Sequence, residues 1–430
     1  MLKYLSFFFC CLPVVLHAQV SDSSKMQWFA DAKLGIFIHW GIYAVNGIDE
    51  SWSFYNGYLS HTDYLAQSQG FTAKNYQPEY WAELIKNSGA RYTVITSKHH
   101  DGMALWDTKL DHLSVVHDTP AGRDLLAPFA KAARDKGLKF GIYYSLPDWS
   151  HPDYPNQTRT EKRYQNDEQQ WQKFLDFYQG QIRELASAYH PDLWWFDGDW
   201  EFSAEQWQAP KVGDMIRQNN PQTVINARLP GQGDYATPEQ GLPVVPPHEK
   251  YWELCMTMND SWGYQGNDQN YKTLNETIQI FADVISNGGN LLLDIGPKAD
   301  GTIPAEQEAI LQGLGRWTKK HESAIFGTRA GIPRIHFGQP STLSADSTIL
   351  YLFVPGTPTA PLMIKGLKNK INRIWVVGNG TKLSHRVLSK AYWSSIPGIV
   401  FIDVPTEVMD EEMTVIAVLL EGKVDLYTEE

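Results

Sequence analysis

Along the chain, short and nearly continuous apolar runs alternate with longer stretches of helical period. The apolar runs fall at Lys33–Trp40, Arg91–Lys98, Lys139–Ser145, Leu193–Asp197, Thr223–Arg228, Trp252–Met256 and Asn290–Ile295. Between them lie amphipathic segments such as PEYWAELIKNSGA, DLLAPFAKAARDKG and WQKFLDFYQGQIRELASAYH. Strands without polar alternation are buried on both faces, which a parallel sheet covered by helices provides. Seven or eight such units over roughly 300 residues predict a (β/α)8 barrel of the TIM type, with its last helix over 304–326. An open, doubly wound sheet competes with it, but no G-x-G-x-x-G turn follows the first strand. Beyond about residue 332 the helical period disappears. STILYLFVPG, RIWVVG, GIVFIDVP and MTVIAVLLEG are short apolar runs bounded by Gly, Pro and Asn. They predict a small C-terminal all-β sandwich.

The first residues have a different pattern. Lys3 precedes an apolar stretch from Tyr4 to Leu16, and Leu16-His17-Ala18 forms a small-residue cleavage site. The apolar run falls short of the roughly 18–20 residues that cross a bilayer, so it reads as a signal peptide rather than a membrane span. Bulky Phe before Cys10 argues against a lipid-anchored form. The expected organisation is a signal peptide over 1–18, a barrel over 19–331 and a β-sandwich over 332–430. The protein is expected to be exported, to the periplasm or the medium. Cys255 is the one cysteine left after cleavage, so no internal disulfide is expected. A net charge of −12 without a basic stripe argues against a nucleic-acid or anionic-membrane partner and suits a neutral substrate. With 16 Trp and 21 Tyr the chain is rich in rings that pack cores and also stack on sugars.

In a barrel the C-terminal ends of the strands face the active site. Those ends carry His39 and Trp40, then Lys98, His99, His100 and Asp101. Tyr144, Asp197, Asp199, Trp200, Asn226, Arg228 and Glu253 follow. Imidazoles, carboxylates and indoles at these positions are the equipment of a sugar site. Asp197 closes an apolar strand between Trp195 and Trp200, and Gly198 lets a ligand approach closely. The structural alternative, a helix cap, suits Asp199 better. His99-His100-Asp101 raises the question of a metal, but zinc needs three or four ligands in a suitable surrounding. Hydrogen bonding to sugar hydroxyls is the preferred role for the two rings. Glycoside cleavage requires a second carboxyl group, for which Glu50, Glu239, Glu249 and Glu253 are candidates.

These residues belong to a longer set of motifs. Over residues 26 to about 335 the chain resembles the retaining α-L-fucosidases of glycoside hydrolase family 29. The resemblance rests on Trp28-Phe-Ala-Asp-Ala-Lys-Leu-Gly-Ile-Phe-Ile-His-Trp-Gly41, Thr96-Ser-Lys-His-His-Asp-Gly102, Tyr143-Tyr-Ser145 and Trp195-Phe-Asp-Gly198. Trp252-Glu253, Ser261-Trp-Gly-Tyr264 and Asn287-Gly-Gly-Asn-Leu-Leu-Leu-Asp-Ile-Gly-Pro297 continue it in the family's order.

The resemblance implies that Asp197 is the nucleophile and that His39, His99, His100, Tyr144, Trp195, Arg228 and Trp262 bind fucose. The family's Glu-Trp binding pair corresponds to Glu50 and Trp52, here separated by an inserted Ser51. The family's acid/base tends to follow the arginine by some ten residues, which favours Glu239, with Glu253 as the alternative. Double displacement follows, with two carboxyl groups about 5–5.5 Å apart and no metal or organic cofactor. Expected partners are fucosylated oligosaccharides or glycoconjugates, with α1,3/1,4-linked branched substrates preferred to a broad range. A non-catalytic glycan-binding barrel is the reading from another class, and the presence of Asp197 speaks against it.

Overall fold

The computed structural model describes residues 25–428, so the expected signal peptide lies outside the described residues. Seven strands form one parallel sheet. They are β1 (Leu34–Ile38), β2 (Tyr92–Lys98), β3 (Lys139–Ser145), β4 (Leu193–Asp197), β5 (Val224–Ile225), β6 (Glu253–Thr257) and β7 (Asn290–Ile295). Their order is β5-β4-β3-β2-β1-β7-β6, and they coincide with the seven apolar runs.

An irregular eighth segment, which the hydrophobic pattern does not show, closes the barrel between β5 and β6. Tyr235 bridges Asn226, Ala236 bridges Trp252 and Glu239 bridges Cys255, all in parallel sense. The Asp234 N–H donates to the Ile225 carbonyl at 2.7 Å, and the Gln240 N–H to the Cys255 carbonyl at 2.9 Å. Pro238 lies between them and has no N–H to donate, so the ladder is incomplete. Its C-terminal end nonetheless delivers Glu239 to the mouth of the barrel.

β5 is shorter than the expected 223–228, for a clear reason. The Asn226 side chain replaces the backbone ladder, accepting from the Phe196 N–H and donating to the Phe196 carbonyl, both at 2.9 Å. The polar groups of β4 are thus satisfied while the chain turns away, which carries Arg228 over the mouth.

Alternation along the strands separates two cores. Phe37, Tyr92, Tyr143, Trp195, Tyr235 and Leu292 fill the lumen. Ile36, Ile95, Ile142 and Trp194 face outward into the helix layer. The short helix Gln27–Ala32 floors the lumen, with the Phe29 ring 4.4 Å from Tyr235. The helices begin on clear caps. Asp167 accepts from the N–H groups of Gln169 and Gln170 at the start of Glu168–Tyr189. Thr273 and Glu276 form a capping box for Leu274–Ser286. The expected last helix is Ala305–Lys320, followed by the single turn Glu322–Ile325.

The C-terminal unit begins three residues before the expected position, at β8 (Arg329–Ala330). With β9 (Ser341–Leu343), β10 (Ile349–Pro355), β12 (Ile371–Val376) and β15 (Met413–Leu420) it forms an antiparallel sheet. A second sheet holds β11 (Leu362–Ile364), β14 (Ile399–Ile402) and β13 (His385–Leu388), in that order. Leu350, Leu352, Ile416 and Val418 point between the sheets. Tyr351, Phe353, Val415 and Ala417 point into the barrel's helix layer. The larger sheet is therefore buried on both faces and the smaller one is outermost, which makes the sandwich a structural continuation of the barrel. Trp317 ties the two units, donating its ring N–H to the Met413 carbonyl at 2.9 Å. Trp317→Ala is expected to destabilise the protein by about 3–5 kcal/mol, read as a lower midpoint in urea unfolding. An unchanged midpoint would mean that the two units do not support each other through this ring.

Candidate active site

The register of β3 and β4 sets the centre of the mouth. Tyr143 pairs with Trp195 and Ser145 with Asp197. A period of two sends these four side chains inward and sends Tyr144 and Phe196 outward. Asp197 accepts from the Tyr143 hydroxyl at 2.9 Å and from Arg228 Nη1 at 2.7 Å. The other terminal nitrogen of Arg228 meets Glu239 Oε2 at 2.5 Å. One guanidinium therefore holds both carboxylates. It also lies 4.6 Å over the Trp195 ring, whose own N–H donates to Glu253 Oε1 at 3.1 Å. Gly198 follows Asp197 with φ of +88°, and a Cβ there would come within 2.0 Å of Pro147. Only glycine allows this turn.

Three imidazoles complete the wall, each fixed from behind. His39 Nδ1 is 2.7 Å from Asp294 at the end of β7. His99 Nδ1 is 2.6 Å from the Ser51 hydroxyl, and His100 Nδ1 is 2.5 Å from Ser145. His100 Nε2 has no hydrogen-bond partner within the protein and lies 3.6 Å from Asp197 Oδ2. Burial depresses the basicity of all three rings. The neighbouring imidazole adds to this for His39 and His99. Burial, Lys98 and Arg228 bring His100 down to about 3. Neutral rings at neutral pH can both donate and accept, which suits sugar hydroxyls.

The remaining expected residues divide. The Trp262 ring stands 4.9 Å from His39, and Trp52 packs edge-on to His100 at 5.5 Å. Glu50 is buried, and its carboxylate accepts from the Gly263 N–H. It thereby clips the loop that carries Trp262. Burial holds its carboxyl at about 7. Asp101 turns away from the two histidines, accepting from the Tyr64 hydroxyl and the Met103 N–H. It does not join them as a ligand set.

Two assignments are corrected. Tyr144 is not in the site: it lies outside the barrel wall, with its hydroxyl donating to Gln181 at 2.8 Å. Its neighbour Tyr143 occupies the expected place, because adjacent residues of a strand face opposite ways. Glu253 is not at the rim either. It is sealed in the lumen below Trp195, where it accepts from the Tyr92 hydroxyl and the Trp195 N–H. Of the two acid/base candidates only Glu239 reaches the mouth. Sequence reasoning also missed Asp294, Ser51 and Ser145. The signal for Tyr143 was available, since the alternation that selects Trp195 and Asp197 selects it too. Ser51, read as an interruption, supplies the hydroxyl that orients His99.

A barrel whose mouth pairs two carboxylates across an arginine, within a wall of imidazole and indole, defines a glycoside hydrolase. A sequence model of the alpha-L-fucosidase family matches residues 16–323. The alpha-L-fucosidase of Branchiostoma floridae is 33% identical over 332 residues, 70% of this chain and 72% of that one. Tissue alpha-L-fucosidase of Rattus norvegicus is 32% identical over 337 residues, 70% of each chain. Alpha-L-fucosidase isoenzyme 1 of Paenibacillus thiaminolyticus superposes with a TM-score of 0.84 at 32% identity, covering 94% of this chain and 100% of that one. A family 29 alpha-L-fucosidase of Bacteroides thetaiotaomicron, trapped as a covalent intermediate with 2-fluoro-fucosyl fluoride, gives 0.81 at 26% identity, covering 93% and 96%. The chain belongs to the α-L-fucosidases of glycoside hydrolase family 29.

Two measurements check the geometry. Tyr143→Phe removes a hydrogen bond to a carboxylate and is expected to lower kcat/KM on an aryl α-L-fucoside about tenfold to a hundredfold. Tyr144→Phe should leave kcat/KM unchanged and cost about 1 kcal/mol of stability; the reverse pattern would overturn the inward assignment. Burial lifts the Glu253 carboxyl from the ordinary 4.5 to about 7. The folded state therefore keeps a proton that the unfolded chain releases. Its stabilising contribution is full below about 4.5 and is lost as pH rises through about 7. Glu253→Gln should flatten this part of the stability–pH curve, as measured by urea unfolding.

Proposed function

We propose that this chain is an exo-acting, retaining α-L-fucosidase that works by double displacement. The observation that carries the reading is the Arg228 fork, which holds Asp197 at 2.7 Å and Glu239 at 2.5 Å. In the first step a carboxylate oxygen of Asp197 attacks the anomeric carbon. The bond from that carbon to the leaving oxygen breaks, and the Glu239 carboxyl gives its proton to that oxygen. In the second step Glu239 takes a proton from water, the water oxygen bonds to the anomeric carbon, and the ester to Asp197 breaks. Tyr143, His39, His99 and His100 orient the ring, and Trp262 and Trp52 flank it. This route uses no metal or organic cofactor.

Branched, α1,3/1,4-linked fucosides are the proposed natural substrates. Supporting this, Trp200 is 53% exposed beside Trp52 at the rim, a free aromatic face for sugars flanking the fucose. Export is proposed from Lys3, the apolar stretch Tyr4 to Leu16 and the site after Ala18, and N-terminal sequencing of the exported protein tests it.

Asp197→Ala should stay folded and lose several orders of magnitude in turnover, with azide restoring part of it and giving the inverted product. Near-normal turnover in the folded variant would sink the assignment. Glu239→Ala should cripple hydrolysis of oligosaccharides while sparing fucosylation by substrates with good aryl leaving groups. With those substrates the covalent intermediate should accumulate, and azide should speed its release. Equal losses on both substrate types would remove Glu239 from the acid role. Dialysis against a strong chelator should leave activity unchanged, and a loss restored by zinc would bring a metal into the site. For linkage, α1,3/1,4-branched oligosaccharides should be cleaved faster than α1,2-linked linear ones, and equal rates would point to broad specificity.

A further inference from the structure

Charge is distributed unevenly between the two units. The whole chain carries −12, yet from Ser347 to Ile402 it has seven Lys or Arg and no Asp or Glu. The fold gathers Lys368, Lys370, His385 and Lys390 around one cleft of about 510 Å³. The cleft lies between the connection entering β12 and the edge strand β13 with the loop that follows it. Two carboxylates face this region: Asp425 is 3.3 Å from Lys368, and Asp403 is 2.7 Å from Arg386. Among the described residues, Lys370 and Lys390 make no ion pair.

The loop between β13 and β14 adds a second feature. Tyr392 is 95% and Trp393 77% exposed, with ring centroids 4.8 Å apart at right angles. Half-exposed Val387 on β13 and Ile396 on this loop line the cleft, and the two rings stand on the loop between the lining residues Lys390 and Ser394. Adjacent rings left in solvent, with apolar neighbours, mark an interaction site. Ser394 and Ser395 supply hydroxyl groups in the same cleft.

We propose that this cleft binds an acidic glycan, a run of pyranose rings bearing sulfate or carboxylate groups. A small anion would use the lysines and leave the rings idle, whereas a neutral glycan would use the rings and leave the lysines idle. A membrane surface would call for a flat apolar face, not a cleft whose walls offer ammonium and hydroxyl groups. The site is separate from catalysis, because the five-stranded sheet stands between the outer sheet and the barrel. Tethering to acidic glycan material would raise the effective concentration of fucosylated chain ends at the mouth of the barrel.

The test uses the full chain, titrated calorimetrically at physiological ionic strength. The probes are a chondroitin sulfate oligosaccharide, an uncharged dextran oligosaccharide of equal length, and phosphatidylcholine vesicles containing phosphatidylserine. Binding is expected to chondroitin sulfate and not to dextran or vesicles. The pair Lys370→Gln with Lys390→Gln, and separately Tyr392→Ala with Trp393→Ala, should each weaken it at least about tenfold. Both variants should keep the wild-type urea midpoint and aryl α-L-fucosidase activity. Four outcomes would overturn the proposal: no binding, equal binding of dextran, loss in the lysine pair alone, or preference for the vesicles. The third would indicate plain charge attraction, and the last a membrane-facing role.

Discussion

Everything at the mouth of this barrel depends on where the Arg228 guanidinium is held. It joins the end of β4, the turn after β5 and the irregular eighth segment through Asp197, its own backbone and Glu239. It rests on the Trp195 ring, and that ring is anchored by its N–H to Glu253 inside the lumen. The arrangement is a vertical stack of carboxyl, indole, guanidinium and two carboxylates. Arginine suits this position because its planar fork serves two acceptors at once while its face lies on an aromatic ring. Lysine could carry the charge and would lose both the fork and the stacking.

Burial decides the electrostatics around that stack. The lumen is buried and aromatic, so Glu253 stays protonated up to about 7 and the three imidazoles lose their basicity. Positive charge in the pocket is thereby concentrated on Arg228. The histidines are left as neutral hydrogen-bonding groups, each locked by a hydroxyl or carboxyl behind it. Preorganised groups of this kind need little rearrangement when charge develops on a bound sugar. Glu50, expected to bind sugar, also clips the loop of Trp262, because one of its oxygens accepts from the Gly263 N–H.

The sandwich contributes in a different way. Its larger sheet is sealed on both faces, by the barrel's helices on one side and by the smaller sheet on the other. That leaves the outer sheet as the surface on which cationic and aromatic side chains collect without disturbing the fold. Catalytic and peripheral chemistry are thus kept apart by one layer of β-structure.

Much of this was legible in the sequence. Apolar runs buried on both faces leave a continuous signature, so seven strands could be located, as could the change to β-structure near residue 330. Asp197, Arg228 and the three histidines stand at strand ends, where barrel geometry places functional groups. What remained hidden depended on contacts between distant segments. The eighth strand has no apolar run of its own, because Pro238 and a few bridges to β5 and β6 hold it. The choice between Tyr143 and Tyr144 is a matter of strand register, and that between Glu239 and Glu253 is a matter of depth in the barrel. Composition and period identify which residues are equipped for chemistry. Only the closed barrel decides which of them meet, because a neighbour in sequence faces the opposite side of the wall, while residues far apart in sequence share one guanidinium.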